Sequence, residues 1–167
     1  SRITSGTTLR AAAFRTLKRS LIASQTLEPT QVAGFNQFYD DIEGTDARLY
    51  GVALDHKFSR TLFAGMSLWH RNLDVPIPFF DVTTGATTIV QKDWQEDFLR
   101  PYLFWTPHKW LALSAEYQYE RFERTDDESN FGFEEATTHK IPLGVRFFHP
   151  SGFTVGFKAT YVNQDGR

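Results

Sequence analysis

Residues 111–120 read Leu111-Ala112-Leu113-Ser114-Ala115-Glu116-Tyr117-Gln118-Tyr119-Glu120, and their character changes at every step. The odd positions carry Leu111, Leu113, Ala115, Tyr117 and Tyr119; the even positions carry Ala112, Ser114, Glu116, Gln118 and Glu120. Successive side chains of a β-strand point to opposite faces, so this stretch is oily on one side and wet on the other. Outward from it, short turns near residues 59–61, 107–109 and 149–151 recur at almost even intervals and alternate with longer polar connections. Short turns at one end and long loops at the other are the pattern of an antiparallel up-and-down transmembrane β-barrel.

About seven strands can be read on this basis. After the Ser5-Gly6 turn, a first strand covers 7–14, and residues 15–46 form a long connection with a basic start (Arg15, Lys18, Arg19) and an acidic end. The second strand, 47–58, sets Tyr50, Val52, Leu54 and Phe58 on one face, with His56 the exception. The third sets Leu62, Ala64, Met66 and Leu68 opposite Gly65, Ser67 and Arg71. Residues 74–92, with Pro76, Pro78 and Gly85, are expected to form a loop, and 93–105 a fourth strand in which Pro101 is out of place. The fifth follows His108, then a charged loop over 123–135. The sixth sets Ile141, Leu143, Val145 and Phe147 against Lys140, Gly144 and Arg146; the seventh sets Phe153, Val155, Phe157, Ala159 and Tyr161 against Lys158 and its neighbours. Matching the oily faces calls for odd loops: Phe58 opposite Leu62, Trp105 opposite Trp110 or Leu111 after a bulge, and Phe147 opposite Phe153.

The expected lipid-facing residues are therefore Leu111, Leu113, Tyr117, Ile141, Leu143, Val145, Phe153, Val155 and Phe157. Arg100, Glu116, Gln118, Glu120, Lys140, Arg146 and Lys158 are expected on a polar lumen, because an unpaired charge in hydrocarbon costs a few kcal/mol or more. Glu116 and Glu120 neighbour the strand of Lys140 and Arg146, so cross-strand pairs are expected. Aromatics gather at the turn ends (Phe58, Phe63, Trp105, Trp110, Phe147, Phe148, Phe153) and again about ten residues along (Tyr50, Trp69, Trp94, Tyr117, Tyr119, Tyr161). Two such girdles fit the ~9–11 residues with which a tilted strand crosses a bilayer.

Composition agrees. Aromatics are 16% of the 167 residues, sixteen of them Phe, and no apolar run reaches the length of a spanning helix. A formal charge of −2 gives no global argument for nucleic-acid binding, and the absence of cysteine excludes disulfides and thiolate metal sites. Ser1-Arg2-Ile3-Thr4 does not open like a signal peptide, and an odd strand count does not close a bacterial barrel. The whole stretch 1–167 is accordingly expected to be a fragment of one outer-membrane barrel domain, with two bare sheet edges prone to aggregation.

The segments Thr8-Leu9-Arg10-Ala11-Ala12-Ala13-Phe14-Arg15-Thr16-Leu17 and Thr26-Leu27-Glu28-Pro29-Thr30 resemble TonB-dependent-receptor-type barrels, although the order Leu-Glu-Pro-Thr departs from the family's Leu-x-Pro-Glu-like segment. Gln31-Val32-Ala33-Gly34-Phe35-Asn36-Gln37-Phe38, Trp105-Thr106-Pro107 and Phe148-His149-Pro150-Ser151-Gly152 are similar to barrels fused to tetratricopeptide repeats in Gram-negative outer-membrane proteins. The resemblance implies a bacterial outer-membrane location and contact with lipid and lipopolysaccharide. It also implies an energy-coupling or periplasmic partner. Neither a plug domain nor a TonB box is present in these residues.

No histidine pair has metal-ligand spacing with a carboxylate partner, and neither a phosphate loop nor a nucleophile elbow occurs, so no metal, cofactor or enzymatic activity is expected. A rim hydrolase built from Asp40-Asp41, Asp126-Asp127 and His139 is the weaker reading, since acidic loop runs are usually solvated. The basic Arg15, Lys18 and Arg19 suit either a constriction for an anionic solute or a solvated loop. Three functions fit: transport or reception of an unidentified solute through a polar lumen; a barrel that anchors a periplasmic repeat domain or exports polysaccharide; and a soluble ligand-binding barrel with its apolar face inward.

Overall fold

The computed structural model describes residues 2–18, 31–37, 39–124 and 134–167. It is all-β, with no helix among the described residues. The strands are β1 (Arg2–Thr4), β2 (Thr7–Leu17), β3 (Gln31–Val32), β4 (Phe35–Asn36), β5 (Asp46–Lys57), β6 (Leu62–Asp81), β7 (Ala86–His108), β8 (Leu111–Glu116), β9 (Gln118–Arg124), β10 (Glu135–Phe148) and β11 (Thr154–Gly166). Nine of them make one antiparallel sheet in the order β1-β2-β5-β6-β7-β8-β10-β11, with β9 lying beyond β8 between β7 and β10. Apart from the small β3–β4 hairpin, each strand lies beside its predecessor in the chain, so the sheet is an up-and-down meander. Among the described residues β11 has a neighbour on one side only, and all its residues are exposed.

The alternating stretch at 111–120 is one strand broken at Tyr117. Pro101 explains the break. The Tyr117 amide donates to the Pro101 carbonyl at 3.0 Å, but proline has no N–H to return the bond, so the ladder loses a rung there. Pro101 is thus accommodated inside β7, opposite Met66.

Residues 74–92 are not a loop. β6 and β7 continue as a hairpin, with Val75 paired to Lys92 and Asp81 to Ala86, beyond the ends of their other neighbours at Asp46 and Arg124. Proline is tolerated where a strand has a partner on one side only, which is why Pro76 and Pro78 do not break β6. At the tip, Asp81 accepts from the Thr83 amide (2.8 Å) and the Thr84 hydroxyl (2.7 Å), and Gly85 takes a φ of 68°. The 15–46 connection is also shorter than expected: β2 runs to Leu17, and the β3–β4 hairpin turns at Ala33-Gly34, both at positive φ. Of the 123–135 loop, Glu123 and Arg124 end β9 and Glu135 begins β10; residues 125–133 lie outside the described residues.

The hairpin registers hold in parity but shift in detail. Phe58 donates its amide to Leu62 as expected. Trp105 pairs with Leu113 rather than Trp110 or Leu111, because a bulge lies between Trp105 and the His108–Leu111 pair. Phe147 pairs with Val155, not Phe153; the last turn closes between His149 and Phe153.

The buried residues lie on one face of the sheet. Phe35 packs with Leu49 and Ala53, flanked by Ala12, Phe14, Tyr39 and Trp69. A second cluster joins Ala47, Leu73 and Val75, flanked by Ile77 and Trp94. Segment 31–45 makes this possible by folding back over β2, β5 and β6. Gly51 admits it: a Cβ there would meet the Phe35 ring at 2.6–2.9 Å.

Candidate functional site

Register assigns every strand residue to the face covered by segment 31–45 or to the opposite, uncovered face. On the uncovered face, one row across the sheet reads Ala64, Leu103, Ala115, Leu143 and Ala159, and the next reads Leu62, Trp105, Leu113, Val145 and Phe157. With Leu9, Tyr50, Val52, Leu54, Met66, Leu68, Ile141, Phe147, Val155 and Tyr161, these make an exposed apolar belt without a charged residue. Away from the short turns, the belt ends at polar and ionic pairs on the same face. These are Arg15 with Asp46, Arg48 with Asp74 at 3.8 Å, His70 with Asp97 at 2.8 Å, and Arg121 with Glu135 at 2.7 Å. At the turn end His56 accepts or donates to the Thr7 hydroxyl at 2.7 Å, and this explains a polar residue at the margin of an oily face.

The covered face is polar and paired. Arg10 donates to Asp55 at 2.9 Å, and the Tyr102 hydroxyl donates to the same carboxylate. Arg100 donates to Glu116 at 2.8 Å, and Lys140 to Glu120 at 2.8 Å. Deepest is Arg71, only 1% exposed, which donates to Glu96 at 2.6 Å and to Asp41 at 2.5 Å while its guanidinium lies 3.6 Å from the Tyr39 ring centre. A buried cation is tolerable only when charge and hydrogen-bonding groups both answer it, and Arg71 has both. Burial pushes the Tyr39 phenol above its ordinary range, against the opposing pull of Arg71.

Beside this clasp lies a half-open cleft of about 730 Å³. Its platform is Trp69 stacked on Phe98, ring centres 5.0 Å apart and 14° from parallel, with Tyr39 edge-on to Trp69 at 5.7 Å. Gln31, Asn36, Ser67 and Gln118 add polar groups to its walls, and Arg10, Arg100 and Tyr102 flank it.

The residues expected on a polar face, Arg100, Glu116, Gln118, Glu120, Lys140, Arg146 and Lys158, all share the covered side's register. The cross-strand expectation holds for Lys140–Glu120, whereas Glu116 pairs across the other seam with Arg100. Arg146 and Lys158 are exposed, at the bare end of the sheet. Leu111, Leu113, Ile141, Leu143, Val145, Val155 and Phe157 share the uncovered face; Tyr117 and Phe153 continue the same parity. The basic residues differ from expectation. Arg15 lies in β2, bound to Asp46, and the Lys18 ammonium donates to the Tyr39 carbonyl at 3.2 Å; Arg19 lies outside the described residues. Both cations fasten the returning chain instead of lining an opening.

The two aromatic groups also split by face. Trp69 and Trp94 belong to the covered side with Arg71, and Phe63, Trp110 and Phe148 share that parity, so these five are not part of an uncovered girdle. The hydrolase grouping does not assemble: Asp41 binds Arg71 on the covered face, His139 meets the Tyr117 hydroxyl at 2.7 Å on the other, and Asp126-Asp127 lie outside the described residues. Sequence reasoning missed the Trp69–Arg71 site, although strand parity carried the signal: Gly65, Ser67, Trp69 and Arg71 follow one another at every second position.

No helix among the described residues is long and apolar enough to cross a membrane. No family model, curated protein or solved structure matches the chain.

Proposed function

We propose that the chain is part of an outer-membrane β-barrel that passes or receives a solute, with the uncovered face against lipid and the covered face toward an aqueous interior. The charge-free belt carries this reading, because such a band exposed to water would be a large adhesive patch, while in hydrocarbon it is favourable. The belt also slants. Ala13 and Tyr50 share a row with His70, Asp97, Arg121, Thr137 and Asp165, yet the last belt residue of β11 is Tyr161. A drift of four residues over six strand steps, at ~3.3 Å per residue and ~4.8 Å per strand, corresponds to a tilt of roughly 25°. Strands of membrane barrels tilt further, by ~35–45°. Paired charges on the opposite face are what a polar interior needs, and a soluble barrel would turn its oily residues inward instead.

The test is folding of the complete barrel that contains this chain into phospholipid vesicles. Leu143→Arg and Val52→Arg should each destabilise the inserted state by about 2–4 kcal/mol, the cost of a cation near the bilayer midplane, with Lys140→Gln well below that. A chain that stays monodisperse without detergent, and tolerates both arginines, would overturn the reading.

A further inference from the structure

We propose that the Trp69–Phe98 cleft binds an uncharged oligosaccharide; this rests on the covered face being the aqueous interior and names what that interior holds. The electrostatics exclude the obvious alternative. Each cation at the cleft already has a carboxylate, Arg10 with Asp55 and Arg100 with Glu116, and Arg71 beneath it has two. An anion entering the cleft would compete with these carboxylates for the same guanidinium groups and meet their repulsion.

The remaining chemistry suits a neutral polyol. Trp69 and Phe98 cover one face of each other but both line the cleft, and the ring surface left outside their stack attracts weakly positive C–H groups, such as those on the flat side of a pyranose ring. Around that platform Gln31, Asn36 and Gln118 present amides, each with donor and acceptor atoms, and Ser67 presents a hydroxyl. Gln31 and Asn36 are held by a bond to one another at 3.1 Å, on a hairpin fixed by Arg10 donating to the Ala33 carbonyl at 3.0 Å. Their orientation is thus set before a ligand arrives, which reduces the ordering cost of binding. A purely apolar ligand would strip these amides of water without replacing their bonds. A sugar offers hydroxyls to the amides and C–H groups to the rings at once, and the volume lies within the ~300–1,000 Å³ of small-molecule sites.

The experiment titrates maltohexaose and cellohexaose into the complete barrel that contains this chain, folded in lauryldimethylamine oxide, a detergent without a sugar head group, and reads tryptophan fluorescence and heat. A saturable response is expected with at least one neutral hexaose. Trp69→Leu and Gln118→Leu should each weaken it tenfold or more, whereas Trp105→Phe, on the uncovered face, should leave it unchanged. Gln118→Leu keeps the test decisive should Trp69→Leu fail to fold. The inference is overturned if neither hexaose gives a saturable response, if an acidic hexauronate binds more tightly, or if Trp105→Phe weakens binding as much as the cleft variants. Vesicle insertion of the same preparation separates the two proposals: insertion without sugar binding sinks this one alone, and failure to insert sinks the membrane reading.

Discussion

The ring of Phe35 rests on the bare backbone of Gly51, occupying the space where any other residue would place its Cβ. Gly51 lies in β5, opposite Ala12 on one side and Trp69 on the other. A single hydrogen therefore decides whether segment 31–45 seats on the sheet.

Gly51→Ala should dislodge Phe35 and cost about 1–3 kcal/mol, the usual range for overpacking a filled site. Limited proteolysis between Gln31 and Thr45 should accelerate, while cleavage at the far turn 149–153 should not. Equal protection of the two variants at 31–45 would count against the seating of Phe35.

Arg71 predicts a different failure. Arg71→Met leaves the Asp41 and Glu96 carboxylates facing one another across a largely buried site, and losing one partner of such a group costs about 3–5 kcal/mol. Arg71→Lys should rescue only part of that, because an ammonium lacks the planar fork that reaches two acids while lying flat on Tyr39. Chemical denaturation of the three proteins checks the order: wild type, then lysine, then methionine.

At the tip of the long hairpin, the Asp81 carboxyl is held below the ordinary value of 3.8, first by the Thr84 hydroxyl and then by the Thr83 amide. A carboxyl with a depressed folded-state pKa contributes ordering that is complete above the unfolded value and fades as pH falls through the folded one. The protection factor of the Thr83 amide, its rate corrected for the intrinsic pH dependence of exchange, should therefore fall below about pH 3.8 and stay constant between pH 5 and 7. Asp81→Asn should exchange fast across the whole range. A flat profile in the native protein would refute the assignment.

Period-two alternation made most of the sheet legible in advance, since side-chain direction in a strand depends only on parity. It was enough to place Arg100, Glu116 and Lys140 on one face and Leu113, Val145 and Phe157 on the other. What escaped it depended on contacts distant in sequence. Pro76 and Pro78 signalled a loop because local rules do not reveal that β6 outruns β5 there. Lys18 and Arg15 looked like free cations because their partners, the Tyr39 carbonyl and Asp46, arrive over twenty residues later. Trp69 matches Tyr50 in aromatic spacing, but parity assigns it to the side of Ser67 and Arg71, and parity is the stronger rule because it follows from backbone geometry.

The solitary flank of β11 carries a further consequence. Along Thr154–Gly166, the amides and carbonyls turned away from β10 have no strand among the described residues to receive them. Water satisfies such groups readily, but oil does not, at several kcal/mol for each one left over. A ribbon of this kind is therefore stable in a bilayer only as an arc of a complete ring, its margins stitched to further strands. In the proposed membrane setting, further strands would have to cover this margin before Phe157 and Tyr161 met lipid.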